Sequence, residues 1–477
     1  MKRISLIVSL FIAVIFITGC KKDEPIYDEL SLAINEFIWD GLNYFYFWYD
    51  NVNDLRDDRF SNQTDKMDFL IPYSDHEMLF NDLLYTPTDR FSWIVDDYEE
   101  LEKSFQGITT SMGFRYTLIN ITGENLTGVV KYVIDDSPAY RAGLRRGDFF
   151  TKVDGLSITE VNYRNLLYDK SHYTLTMASL DNGNLYDTGN LSLTAEEVHE
   201  NPVYISKVFD MDGKKVAYLY YSGFRSNYEE ELNDAFEYFI SQSAGDLILD
   251  LRYNGGGSVS TTAKLGSMIY DTDINKIFIR KVYNDKYTEY LLEEYGESAF
   301  YWTLSENIKT EDNRTVAINS LGMDKIYVLT TGNSASASEL LINCLRSYID
   351  VVIIGTKTYG KNVGSITVKD IDDSGNINPD HKWAMQPIIS QSSNINYESE
   401  YYNGFQPDYY LPEDLTNLLP LGDENEKLLK KALDLIKGIK PAKETSIPTG
   451  YTIYFNSEHF DPYNFEMIDD FPSSVQQ

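Results

Sequence analysis

The sequence predicts an α/β protein of several domains: an N-terminal helical domain, a small β domain and an α/β core. Three observations support this class. Apolar residues recur at near-helical spacing after residue 30, short glycine-punctuated strands follow from 107 to about 193, and strands alternate with helices from 203 to 438. The 477 residues suffice for about three domains, and 43 % hydrophobic with 24 % charged residues indicates folded cores.

The pattern places the helical domain at 31–105, the β domain at 106–200, the α/β core at 201–440 and a C-terminal extension at 441–477. The main strands are expected at 129–134, 149–153, 216–221, 246–251, 325–330 and 351–354. Helices are expected to begin at Pro138 and to span 228–241, 261–269, 339–348 and 424–437. The stretch 271–323 looks irregular, like an insertion over one edge of the core, and 441–477 has no periodicity that places it.

The first twenty residues have the features of a targeting segment. Lys2 and Arg3 form a basic start, and the apolar run 4–17 suits a signal peptide but is short for a membrane span. The run ends in Ile-Thr-Gly-Cys at 17–20, which resembles the bacterial lipobox and implies cleavage before Cys20 and lipidation of that residue. With 21–30 as a tether, the mature chain is expected to be lipid-anchored in the bacterial cell envelope. A plain signal peptide with an accidental Cys20 is the alternative.

The net charge and the residue composition bear on which functions are expected. The formal charge is −33, from 74 acidic and 41 basic residues, so nucleic-acid binding is not expected. The other cysteine, Cys344, lies in an apolar helical pattern and is expected in the core. The 38 tyrosines suggest solvent-exposed, amphipathic surfaces of the kind that bind peptides or sugars.

Common catalytic signatures are missing from the sequence. The five histidines are scattered without zinc-ligand spacing, no G-x-S-x-G surrounds a serine, and no phosphate-binding loop is present. A Ser-His-Asp triad can assemble from distant residues, but nothing local supports one. No metal or organic cofactor is implied.

A serine at a predicted strand-to-helix junction is the first candidate for chemistry. Ser336 lies in Ser334-Ala335-Ser336-Ala337-Ser338-Glu339, where unpaired backbone N–H groups at the start of a helix can stabilise an oxyanion. Ser336 and Glu339 also have the spacing of a capping box, an ordinary way to start a helix. Taken alone, the serine favours the cap.

Two further features favour a catalytic role for Ser336 over a capping role. Lys361 follows the strand 351–354 in Thr-Tyr-Gly-Lys, and a lysine desolvated in an apolar site can act as the base that a serine nucleophile needs. The glycines 255–257 follow the buried strand 246–251 and allow backbone amides to approach a ligand closely. A carbonyl oxygen would lie between the amide of Gly256 or Gly257 and that of Ala337. A solvated lysine and a flexible turn are the alternative interpretations.

Together these residues resemble the carboxy-terminal processing, or tail-specific, serine protease family. The resemblance implies a core of the type found in ClpP and crotonase-like proteins. It implies that Ser336 is the nucleophile and Lys361 the general base, with Gly256 or Gly257 and Ala337 as the oxyanion hole. The family often has a glutamine four residues after its lysine, whereas Ser365 stands here as a possible third member.

The β domain supports the same resemblance. Residues 137–155 look like the second half of a PDZ domain, and Met112-Gly113-Phe114 resembles the loop that binds the carboxylate of a peptide C-terminus. The expected activity is therefore a serine endopeptidase that cleaves flexible or unfolded polypeptides, presented by their C-termini, through an acyl-enzyme. A non-catalytic peptide-binding lipoprotein and a surface glycan-binding lipoprotein are the alternatives.

Overall fold

A computed structural model describes residues 28–121, 123–168, 170–372, 374–439, 450–460 and 465–470. The predicted signal peptide, Cys20 and most of the tether lie outside these ranges. Within them, no helix is both long enough and apolar enough to cross a bilayer.

The N-terminal region is mainly helical. Helix α1 starts at its cap Asp28, whose carboxylate accepts from the Leu30 N–H, and it buries Ile34, Ile38 and Leu42 on one face. Two short 3-10 helices follow at Tyr49–Asn51 and Asn53–Leu55. The regular elements are α1 (Glu29–Phe45), α2 (Gln63–Leu70), α3 (His76–Asp82), β1 (Trp93–Val95) and α4 (Tyr98–Phe105).

The middle region has one large antiparallel sheet, a separate two-stranded sheet and two short helices. Its elements are β2 (Ile108–Ser111), β3 (Phe114–Asn120), β4 (Thr127–Val133), α5 (Pro138–Arg141), β5 (Phe149–Val153), β6 (Leu156–Ser157), α6 (Tyr163–Leu167), β7 (His172–Asp181), β8 (Asn184–Thr194) and β9 (Glu196–His199). Strands β3, β4, β5, β7 and β8 are neighbours in that order. Ser137 caps α5 with Pro138 in its first turn, as the sequence predicts.

The α/β core carries the remaining elements up to residue 439. They are β10 (Val203–Met211), β11 (Lys214–Tyr221), α7 (Glu229–Ser241), β12 (Asp246–Asp250), β13 (Gly257–Ser258), α8 (Val259–Ile269), β14 (Ile277–Tyr283), α9 (Asp285–Tyr295), β15 (Tyr301–Thr303), β16 (Asn307–Lys309), β17 (Thr315–Ala317), β18 (Lys325–Thr330), α10 (Ala337–Leu345), β19 (Asp350–Gly355), β20 (Val363–Ser365), β21 (Val368–Lys369), β22 (Ala384–Gln386), β23 (Ile388–Ser393), β24 (Tyr409–Tyr410) and α11 (Lys427–Ile436). Strands β25 (Thr452–Asn456) and β26 (Met467–Ile468) follow.

The main sheet of the core has the order β10-β11-β12-β18-β19-β24, and from β11 onward its neighbours are parallel. Alternate residues of β11 point to opposite faces. Ala217 and Leu219 pack with α7, α8 and α10, whereas Tyr218 and Tyr220 pack with α11 and with Tyr132 of β4. The middle domain therefore shares a hydrophobic core with one face of this sheet.

A second core sheet corrects two expectations. Its order is β13-β26-β20-β23-β14-β15, so the stretch 271–323, expected to be irregular, supplies β14 and β15 and also contains α9, β16 and β17. Strand β14 pairs with β23, more than a hundred residues away, and local periodicity does not reveal such a partner. The C-terminal extension contributes β26 here and adds β25 to the edge of the middle sheet.

Cys344 lies in the core, as expected, as a free buried cysteine. Several tyrosines are buried, whereas the sequence suggested exposed tyrosine surfaces. Tyr46, Tyr218, Tyr220 and Tyr221 are among the largest fully buried side chains. Tyr46 and Tyr218 donate hydrogen bonds to Asp89 and Asp250.

A buried charge network joins the middle domain to the core. Arg146 of the middle domain donates to Glu413 at 2.8 Å, and Arg252 donates to the same carboxylate at 3.0 Å and also to Asp250 and Glu426. Burial opposes the charge of Glu413, but the two arginines outweigh it and hold its pKa at about 2. Asp250 and Arg252, which precede the glycine run, thus have a structural role.

Candidate active site

Ser336 lies where β18 leads into α10. It is the N-cap of α10 and has φ 60°, which is unusual for a residue other than glycine and strained for an L-amino acid. Ser336 and Glu339 are arranged as a capping box. Only one side of this box is a hydrogen bond of normal geometry: the Ser336 N–H donates to Glu339 at 3.0 Å. The buried Ser336 Oγ has no hydrogen-bond partner of normal geometry among the described residues. A buried hydroxyl left in this state is unusual and marks a candidate functional group.

Glu339 ties the serine to the loop that carries Lys361. One carboxylate oxygen accepts from Thr358 Oγ1 at 2.5 Å and the Gly360 N–H at 2.8 Å, and the other accepts from the N–H groups of Lys361 at 2.9 Å and Ser336. Burial raises the pKa of Glu339 to about 7, although these hydrogen bonds lower it. The sequence indicated Glu339 only as a cap.

The raised pKa of Glu339 predicts a dependence of stability on pH. The folded state holds this proton more tightly than the unfolded state, so the stabilisation is complete below the ordinary pKa of 4.5 and is lost as pH rises through about 7. We expect the unfolding free energy to fall from pH 5 to pH 8 by on the order of 3 kcal/mol more than in Glu339→Gln, which cannot titrate. Denaturant titrations at both pH values measure the difference.

The exposed Glu424→Gln is the matched control and should follow the unmodified protein at both pH values. Glu339→Gln should also be less stable than the unmodified protein at pH 8. The NH₂ group of glutamine cannot accept hydrogen bonds, so two of the N–H or O–H donors that face Glu339 would lose their acceptor. Parallel pH dependences for Glu339→Gln and the unmodified protein would contradict this account.

Lys361 is completely buried after β19. Its Nζ lies 5.0 Å from the centroid of the Phe91 ring and donates to the Phe465 carbonyl at 2.7 Å and to the Glu466 carboxylate at 3.3 Å. Burial lowers the pKa of the amine, and Glu466 opposes that effect. Lys361 is thus desolvated as the sequence predicted, but it is bonded to the C-terminal segment and forms no hydrogen bond with Ser336 Oγ.

The glycine run lies directly beside the serine. A Cβ on Gly256 would be 2.7 Å from Ser336 Cβ and 3.1 Å from the Ala337 nitrogen, so only glycine fits there. The Gly256 N–H donates to Asn254, whereas the Gly257 N–H donates to the Glu466 carbonyl at 2.7 Å. Of the two predicted oxyanion amides, the Gly257 amide is therefore the one that holds a carbonyl.

Ser365, the possible third member, is buried in β20. Its Oγ donates to the Glu466 carboxylate at 3.1 Å, and this carboxylate also accepts from Lys361 and from the indole N–H of Trp93 at 2.8 Å. Ser365 therefore reaches the lysine through Glu466. Sequence reasoning missed Glu466, because it lies more than a hundred residues from Lys361 in a segment without periodicity.

The residues 89–93 also line the site. Arg90 donates to the Gly360 carbonyl at 2.9 Å, Phe91 packs against Lys361, and Trp93 bonds Glu466. The helical N-terminal region thus forms one wall of the site.

The predicted carboxylate-binding loop precedes strand β3. The Met112 carbonyl accepts from the Ala139 N–H, and the Gly113 carbonyl accepts from the Ile134 N–H and Ser137 Oγ. Phe114 starts β3, whose outer edge pairs with β25. The loop thus lies at the start of β3. On the neighbouring strand β4, Tyr132 stacks on Tyr253, three residues before Gly256, with ring centroids 6.0 Å apart.

A serine at the start of a core helix, a desolvated lysine and an amide that holds a carbonyl are features that serine hydrolases use. The chain belongs to peptidase family S41. Residues 215–411 match the model of peptidase family S41, residues 33–93 match the peptidase S41 N-terminal domain and residues 129–174 match a PDZ domain. The loop 112–114 lies before the matched PDZ residues.

Relatives and a solved structure agree with this assignment. A carboxyl-terminal-processing protease of Picosynechococcus is 21 % identical over 72 % of this chain and 73 % of its own length. A chloroplastic C-terminal processing peptidase of Tetradesmus obliquus is 26 % identical over 58 % of this chain and 56 % of its own. The crystal structure of a putative S41 protease from Bacteroides fragilis is 26 % identical, with a TM-score of 0.66 over 85 % of this chain and 98 % of that one.

Proposed function

We propose that the protein is a serine endopeptidase in which Ser336 is the nucleophile and Lys361 the general base. The observation that carries the proposal is the unpartnered Ser336 hydroxyl on a strained residue, beside an amide of Gly257 that already holds a peptide carbonyl. The burial of Lys361 supports its role, because a desolvated amine loses its proton more readily. Family membership supports the reaction class.

The proposed reaction proceeds through an acyl-enzyme. Ser336 Oγ attacks the carbonyl carbon of the scissile peptide bond while its proton passes to the neutral Lys361 amine. The N–H groups of Gly257 and Ala337 hold the oxyanion. The C–N bond then breaks, Lys361 returns the proton to the leaving amine, and water hydrolyses the ester to free Ser336. The attack requires that Lys361 exchange its bond to Glu466 for one to Ser336.

The substrates we propose are flexible or unfolded polypeptides whose C-terminal ends bind along β3. An extended chain can add to a sheet edge by backbone hydrogen bonds, and the edge proposed here is the outer edge of β3, which β25 occupies in this structure. A non-catalytic peptide-binding protein of the same fold is the other candidate. It predicts peptide binding without turnover.

Active-site labelling tests the proposal. We expect the protein to cleave fluorescein-labelled casein and to react with a fluorophosphonate, which modifies activated serines, at Ser336. Peptide mapping by mass spectrometry has built-in controls, because Ser334 and Ser338 lie in the same peptide and should stay unmodified. Casein that stays intact while a peptide still binds would favour the non-catalytic alternative.

We also propose that lipidation of Cys20 anchors the mature chain to a membrane of the bacterial cell envelope, supported by the sequence Ile-Thr-Gly-Cys at 17–20. Fractionation of cells tests it, since Cys20→Ser should move the protein from the membrane to the soluble fraction.

A further inference from the structure

The last described segments of the chain occupy two places where a peptide ligand would bind. Strand β25 lies along the edge of the PDZ sheet, and residues 465–470 lie in the cleft beside Ser336. The two segments, 450–460 and 465–470, are close together in the sequence.

The first segment fills the PDZ groove between β3 and α6. Strand β25 pairs antiparallel with β3, from Thr452 opposite Asn120 to Asn456 opposite Thr117. Phe455 is buried and packs on Tyr163 of α6, with ring centroids 5.0 Å apart. This is the arrangement of a strand-adding peptide, with backbone pairing on one side and a side chain placed against the helix on the other.

The chain is held further at the end of this groove. Ser457 Oγ accepts from the Tyr116 N–H at 2.8 Å, and Glu458 forms an ion pair with Lys131 in which both side chains are buried. Breaking a buried pair is costly, so this contact fixes the segment in the groove.

The second segment lies in the catalytic cleft as a strand. Strand β26 runs parallel to β13 on one side and meets β20 on the other, between the glycine run and Ser365. A Cβ on Gly256 would be 2.3 Å from the Glu466 carbonyl oxygen and 2.7 Å from Ser336 Cβ, so this carbonyl lies beside the serine. It accepts from Gly257, as the carbonyl of a scissile bond would.

The carboxylates of this segment all have partners in the cleft. Glu466 accepts from Lys361, Ser365 and Trp93. Asp469 accepts from Ser390 at 2.6 Å and pairs with Lys281 at 3.1 Å, and Asp470 accepts from Ser258 and Ser260. Met467 is completely buried in the core. The match between these carboxylates and the side chains of the cleft indicates that the segment 465–470 binds there specifically.

Little room is left for another ligand. The cavity beside the glycine run measures about 60 Å³, and Glu466 and Ile468 form part of its wall. That volume holds a few water molecules but no peptide.

We propose that residues 450–460 and 465–470 are a built-in inhibitor that occupies the PDZ groove and the catalytic cleft together, so that cleavage requires both segments to leave. The inference rests on the proposed function. A polypeptide that adds to β3 competes with β25 directly, which makes substrate binding in the groove the event that frees the cleft. Because the two segments are covalently linked, losing one raises the chance of losing the other.

The ion pair of Glu466 with Lys361 adds a second effect. The charged groups that influence the Lys361 amine are Glu466 on the C-terminal segment, Asp89 on the N-terminal region and Lys281 on β14. Removing the Glu466 carboxylate takes away an interaction that favours the protonated amine. In Glu466→Gln, activity should therefore begin to rise at a lower pH than in the unmodified protein.

A matched pair of full-length variants tests the inference. Phe455→Ser/Met467→Ser removes the buried anchors of both segments, while Thr452→Ser/Ile453→Ser changes exposed residues of the same stretch. We expect the first variant to cleave labelled casein at least about tenfold faster than the unmodified protein, because more molecules have an open cleft. The second should match the unmodified protein.

A binding measurement separates this inference from the proposed activity. A fluorescent synthetic peptide of residues 450–470 is titrated into both variants carrying Ser336→Ala, and it should bind the anchor-deleted variant at least about tenfold more tightly. Tighter binding without casein cleavage in any variant would support the inhibitor and reject the proposed activity. Cleavage and peptide binding that are equal in the two variants would overturn the inhibitor. If the double variant fails to fold in a thermal melt, Glu466→Gln is judged in the same two assays.

Discussion

Replacing Ser336 by alanine is expected to lower the rate of casein cleavage at least about a thousandfold, because the acyl-enzyme cannot form without the hydroxyl. The folded structure should persist. Ser336 Oγ makes no hydrogen bond of normal geometry within the described ranges, so its removal leaves no partner unsatisfied. Initial rates and thermal unfolding of the same preparations measure both effects.

Ser347→Ala is the control for this substitution. Ser347 lies just beyond the other end of α10 and should retain full activity when replaced. Cleavage by Ser336→Ala at the unmodified rate would assign the reaction to another group.

Replacing Lys361 by methionine should cause a loss of similar size, at least about a thousandfold, because methionine has no amine to take the proton of the serine hydroxyl. Methionine has a similar length and suits a completely buried site. Glu466 keeps its bonds from Trp93 and Ser365, so it is not left without partners. Steady-state cleavage rates between pH 6 and pH 10 test the prediction.

The pH profile distinguishes a base from a structural residue. In the unmodified protein, activity should rise with pH as the Lys361 amine loses its proton, and burial places that rise below the usual pKa of lysine. Any residual activity of Lys361→Met should lack this rise. Lys357→Met is the matched control, because Lys357 is exposed four residues earlier in the same loop. An unchanged profile in Lys361→Met would remove the lysine from the mechanism.

The sequence predicted those parts of the fold that depend on neighbouring residues. The strands 149–153 and 325–330 have the predicted bounds, and the helix expected at 228–241 begins one residue later. Their signals are local: alternation of apolar side chains, caps and glycine turns. The helix after Ser336 begins at Ala337, two residues before the predicted start, because the strained backbone of Ser336 already serves as its cap.

The rest could not be predicted because it depends on distant pairing. Strand β26 is only two residues long and exists through its neighbours β13 and β20. Glu466 has no local feature that distinguishes it from the many other acidic residues, yet it bonds Lys361, Ser365 and Trp93. The sequence thus indicated Ser336 and Lys361 as candidates, and the structure adds the C-terminal segment that lies beside them.

The network of Arg146, Glu413 and Arg252 limits how the chain can be divided. Arg146 belongs to the PDZ domain, while both its carboxylate partner and Arg252 belong to the core. Excising the PDZ domain would remove one of the two cations that keep Glu413 ionised in a dry environment, and an undercompensated buried charge destabilises whatever contains it. We therefore expect removal of the PDZ domain to destabilise the core, because this domain supplies one of the two charges that compensate Glu413.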